Sequence, residues 1–121
     1  MDEKTYWFRV EARSVGDINY DGDLVGSHME VTLRKFEVLK TTPKGVWLKQ
    51  FMEDKKFVLR DARKRFACPT VAEAFESFRA RKARQKRIYK ARIADVEDAL
   101  YRASILEGQI ERGIVRVLEI A

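Results

Sequence analysis

A chain of 121 residues with 45% apolar content, two Trp, seven Phe and four Tyr is long enough for one domain with a real core, and too rich in aromatics for a disordered chain. A single Cys excludes an internal disulfide, and with a single His beside it a zinc site built from Cys and His is excluded as well. No run reaches the length of a membrane span, and Tyr6-Trp7-Phe8 is soon followed by charge, so neither a transmembrane helix nor a secretory leader is expected and a reducing cytoplasm is the natural compartment.

The first half reads as strands. Tyr6, Phe8 and Val10 alternate with Trp7, Arg9 and Glu11 and give one face an apolar row. GDINYDGDLVGS, 16–27, is rich in Gly and Asp and reads as a loop; its DGD lacks the remaining ligands and closing Glu of a calcium loop and predicts a turn. Alternation resumes at Met29, Val31 and Leu33 and shifts phase to Phe36 and Val38, which predicts a bulge near Arg34-Lys35. TTPKG, 41–45, is a turn into Val46-Trp47-Leu48; Phe57-Val58-Leu59 is a further short strand and Arg65-Phe66-Ala67 a last one. Short strands joined by turns predict an antiparallel meander.

From Pro69 the texture changes, with no further Gly or Pro until Gly108. Thr70 and Glu73 fit a capping box, in which each side chain satisfies the free N–H of the other residue, and a helix is expected over about 71–107. Such a helix would be ~55 Å long, against a diameter of roughly 35 Å for a compact domain of this size; it must break, or its far end must pack on another subunit. Residues 109–121 fit a second short helix folding back, through Ile110, Ile114 and Leu118, or a strand, through Ile114-Val115-Arg116-Val117. The expected class is α+β: a single domain with an antiparallel sheet in 1–68 and a helical part in 69–121.

Charge is segregated. Residues 1–59 hold ten basic and ten acidic side chains, 60–92 twelve and three, and 93–121 three and six. A positive field confined to one segment suggests an anionic partner, although basic helix surfaces without such a partner are common. At 100° per residue one helix arc collects Val71, Ala74, Phe75, Phe78, Tyr89, Ile93, Val96, Leu100 and Ala103. Between Phe78 and Tyr89 that arc is taken by Lys82 and Gln85, with Arg81 on its shoulder. Lysine stems lying on apolar surface, or a Gln setting register in a dimer seam, would account for this. So would a lined cavity, in which Arg forks hold phosphate, Gln reads a base or ribose edge, and Phe78 or Tyr89 offers a stacking surface. Arg60, Arg63, Lys64 and Arg65 precede the helix N-terminus, where free N–H groups favour an anion; they fit a protected edge strand equally well. Cys68 and His28 have no identifiable catalytic partners and read as structural. There is no phosphate-binding P-loop, dinucleotide-binding glycine pattern, HExxH or nucleophile elbow, so nothing supports an enzyme.

RKRFACPT followed by EAFESFRARKARQKRI, residues 63–93 for the most part, together with the TPKGVWL turn and strand, resembles a family of phage counter-defence proteins, the Thoeris anti-defence sponges that sequester cyclic ADP-ribose signals. The resemblance implies an N-terminal antiparallel sheet, a helical C-terminal part, a homo-oligomer, and a small cyclic nucleotide held between subunits without cleavage. Onto this chain it carries Phe78, Arg81 and Gln85 in the helix and Arg63 and Arg65 before it; Lys82 joins them from the interrupted stripe. No cofactor is expected. The competing expectations are a basic nucleic-acid-binding protein and a phage inhibitor of a host protein, of the anti-CRISPR type.

Overall fold

The structure, a computed structural model, describes residues 3–113. It is α+β: four antiparallel strands in the order β1-β2-β3-β4, followed by one long helix. The strands are β1 (Tyr6–Ile18), β2 (Leu24–Thr41), β3 (Gly45–Lys49) and β4 (Lys55–Leu59), and the helix is α1 (Val71–Glu111). The chain divides into two compact units, Met1–Arg81 and Lys82–Ala121. The division falls inside α1 and not at the end of the sheet.

In the first unit β1 and β2 form a long ribbon, in register from Tyr6 opposite Glu37 to Asp17 opposite Gly26. The segment expected as a loop over 16–27 is therefore mostly strand. Only Asn19–Asp23 turns, because the Asn19 side-chain oxygen accepts from the N–H groups of Asp21 and Asp23 while Gly22 takes a positive φ of 85°. No register shift occurs at Arg34-Lys35; the irregularity lies at Val38/Lys40, where β2 leaves β1 and pairs with β3. The phase change read from Leu33 to Phe36 reflects a change of buried face without an extra residue. Gly45 opens β3 because a Cβ there would sit 2.1 Å from the Val58 carbonyl oxygen. Instead of a strand at 65–67, Cys68 makes a two-way backbone bridge to Phe8, each N–H donating at 2.7 Å.

Both faces of β1 are used. Trp7 joins Phe36, Val46, Leu48, Val58 and Ala67 in one buried cluster, and Val10 joins Cys68 and Ala74 in another, with Phe8, Phe75 and Phe78 packed against it. The expected row of Tyr6, Phe8 and Val10 is thus only half of the core. Burial of side chains such as Leu48 and Val10 contributes about 1.5–3 kcal/mol each. Phe66 lies against Phe36 at 5.2 Å between ring centroids, with the Arg9 guanidinium 4.7 Å and the Lys56 ammonium 4.2 Å from its own ring centre. Met29, Val31 and Leu33, read as a core row, are exposed instead: they lie on the part of the ribbon that runs past β3. The opposite ribbon face carries Arg9, Glu11 and Arg34 in one ionic cluster, and His28 between Asp17 and Glu30.

The helix starts at the Thr70 cap. The Glu73 N–H donates to Thr70 Oγ1 at 3.2 Å, and the Thr70 hydroxyl donates to the Glu73 carboxylate at 3.1 Å. The box is half of the one expected, since Glu73 turns to the hydroxyl and not back to the Thr70 N–H. Helix continues through Gly108 to Glu111 without a break, four residues beyond the expected end. A separate helix or strand over 109–121 is not formed at 109–111, and the rest of that expectation lies outside the described residues. No helix among the described residues is long and apolar enough to cross a membrane.

Candidate functional site

The residues singled out in the sequence fall into three settings. Phe78 and Arg81, in the first unit, anchor the helix to β1. Phe78 packs on the cluster of Val10, Cys68 and Ala74. The Arg81 guanidinium lies 5.8 Å from the Phe78 ring centre and donates from Nη2 to the Val10 carbonyl oxygen at 2.8 Å. Burial lowers the Arg81 pKa from its ordinary value, and the nearby charge of Arg9 acts in the same direction. No sequence signal could have foretold this bond, because its acceptor is a backbone atom of a distant strand.

The second setting is the approach to the helix. Arg63 is exposed, and Arg65 is half-buried with Nη1 donating to the Arg60 carbonyl at 3.1 Å. Glu73, an acid in the first helical turn, already balances the positive end of the dipole. That arrangement weakens the case for a second anion at the helix N-terminus.

The third setting, in the second unit, is an exposed basic helical segment. Lys82, Arg84, Lys86, Arg87, Lys90 and Arg92 stand within eleven residues that hold no acid, and all are exposed. Among the described residues no carboxylate lies within ion-pair distance of Arg84, Lys86, Arg87, Lys90 or Arg92. A relay runs along one face: Lys82 Nζ donates to Gln85 Oε1 at 3.2 Å, and Gln85 Nε2 donates to Tyr89 Oη at 3.0 Å. Their spacings of three and four residues put successive members on adjacent turns, a signal readable in the sequence. The relay orients an amide and a phenol beside a cation, which suits an anion that also carries hydrogen-bonding groups. The hollow found in this unit is elsewhere: it is open, holds about 310 Å³, and is lined by Ala103, Leu106, Glu107, Ile110 and Glu111.

Cys68 is buried, and burial pushes its thiol pKa up, which holds it neutral and unreactive. No group of three or more His, Cys, Asp or Glu among the described residues is arranged to hold a metal ion. In comparisons with known proteins, no family model, no curated protein and no solved structure matches the chain.

Proposed function

We propose that the chain binds an anionic, phosphate-bearing ligand through Lys82–Arg92 and does no chemistry on it. The observation that carries this reading is the run of six exposed cations without an acid. Holding like charges on adjacent helical turns disfavours the free state, and an anion relieves the repulsion. In its narrower form the ligand is a small cyclic nucleotide immune signal, sequestered where copies of a homo-oligomer meet, in the cytoplasm of a phage-infected bacterium. The family resemblance at residues 63–93 supports that form, and so does the Lys82–Gln85–Tyr89 relay, which offers a phosphate contact, an amide for a base or ribose edge, and a ring for stacking.

Exposure of cations around the whole helical circumference favours a second reading, nucleic acid held by its phosphates. Salt separates the two. A duplex binder with six to ten phosphate contacts loses about 10³–10⁵ in affinity between about 50 and 200 mM salt, and a small ligand with one or two phosphates loses far less. Calorimetry with cyclic ADP-ribose and with duplex DNA across that range is the test. The small-ligand reading predicts nucleotide binding that survives at high salt and is weakened tenfold or more by Lys82→Ala or Gln85→Ala. Binding of duplex alone, with a steep salt slope, would replace it.

A further inference from the structure

The second unit has an apolar stripe with nothing upon it. Its described residues form one helix, and Leu100, Val96 and Ile93 are 65%, 59% and 57% exposed, with Tyr89 half-exposed in the same row. A stripe of this length marks a contact surface, because most of the stability of a helix in a protein comes from packing such a face. The spacing specifies the kind of contact. Tyr89, Ile93, Val96, Leu100, Ala103 and Ile110 follow alternating steps of three and four, with Glu107 in the one vacant place; that is the seam of a two-stranded coiled coil.

Charge specifies the occupant and its direction. Residues 82–92 carry six cations and no acid, whereas 93–111 carry Asp95, Glu97, Asp98, Glu107 and Glu111 against Arg102 alone. A second copy aligned in parallel would set cations beside cations and acids beside acids. Run antiparallel, each basic half meets an acidic half. We infer that α1 pairs antiparallel with α1 of a second copy over Lys86–Ile110, as a homodimer.

One register satisfies the seam. Val96 faces Leu100 of the other copy, Ile93 faces Ala103, Tyr89 faces Glu107 and Lys86 faces Ile110. Large residues meet small or medium ones in the central layers. Tyr89 accepts from Gln85 and keeps its own O–H to donate to the Glu107 carboxylate. The hollow beside Ala103, Glu107 and Ile110 lies on the same seam and receives the incoming side chains of Ile93, Tyr89 and Lys86. Lys82 and Gln85 fall just past the last layer, at the rim of the pairing, where the proposed ligand has access to them. The inference rests on the homo-oligomer in the proposed function and supplies its geometry; pairing itself requires no ligand.

The test uses the full chain without nucleotide. One preparation carries Ile93→Cys and a second Ala103→Cys; Cys68 is buried and stays, and the unsubstituted chain is the control for its silence. The two are mixed and oxidised, and products are separated by mass. Antiparallel pairing predicts disulfides between an Ile93→Cys chain and an Ala103→Cys chain, with little product in either preparation alone. Self-linked Ile93→Cys chains without mixed product mean a parallel pair and overturn the inference, leaving the ligand reading intact. Light scattering on the unsubstituted chain adds the mass: twice 14.2 kDa, or a higher even multiple, agrees. A mass of one chain overturns both the pairing and the interface-held form of the ligand reading, while calorimetry still decides whether Lys82–Arg92 binds nucleotide at all.

Discussion

Within Met1–Arg81, Leu48 and Val10 have no exposed surface, and no buried side-chain polar atom lacks a partner among the described residues. Within Lys82–Ala121, Leu100 is 65% exposed and the stripe beside it has no cover among the described residues. The apolar residue types are similar; the difference is what surrounds them. Antiparallel pairing gives each β residue neighbours on two sides, so a short strand such as β3 can enclose Leu48. A lone helix provides its side chains only with each other. The first unit is complete as one chain, and the second requires a second chain.

Substitutions can break or sharpen this contrast. The largest effect is expected from Leu48→Ala, which empties a fully buried site and should cost about 2–5 kcal/mol, read as a lower urea midpoint in tryptophan fluorescence. Gly45→Ala comes next. Its methyl group would press on the Val58 carbonyl, so β3 and β4 must part, at a cost of about 1–3 kcal/mol in the same assay. Thr70→Ala removes the oxygen that accepts from the Glu73 N–H and should cost about 1 kcal/mol, seen as a lower thermal midpoint.

A pH dependence follows from Cys68. Burial raises its folded-state pKa above the unfolded one, so the native state favours the neutral thiol. Its contribution is complete below the ordinary thiol range, about pH 8.5, and is lost as pH rises through and beyond it. Urea midpoints should fall on the alkaline side in the wild type and fall less in Cys68→Ala, and native Cys68 should alkylate slowly at neutral pH. The smallest effect on the single chain is that of Leu100→Ala, within about 0.5 kcal/mol in the urea assay followed by tryptophan fluorescence. The same substitution should weaken association by tenfold or more in sedimentation, because Leu100 occupies a central layer of the pairing.

Legibility in the sequence follows the same division. Local rules located the strands, the Thr70 cap and the helix, because alternation, turn residues and capping each act within a few residues. They failed where the partner is distant. Met29, Val31 and Leu33 alternate like a core row, yet lie where the β1–β2 ribbon has outrun β3. The Gly-rich stretch 16–27 reads as loop because pairing across the hairpin, which straightens it, is not a property of either strand alone. At the candidate site, the cations and the stripe were plain in the sequence, but the commitment of Arg81 to the Val10 carbonyl was not. That bond separates Phe78 and Arg81, which secure the helix to β1, from Lys82 and Gln85, which lie exposed beyond it.

The central claim is that Lys82–Glu111 is incomplete in a single copy. Sedimentation equilibrium of the unsubstituted chain across a micromolar concentration series, with helix content followed by circular dichroism in the same samples, tests it most directly. The account predicts a mass of two chains, or an even multiple, and a loss of helical signal wherever dilution splits the pair. A single-chain mass at every concentration, with helix content unchanged, would contradict it.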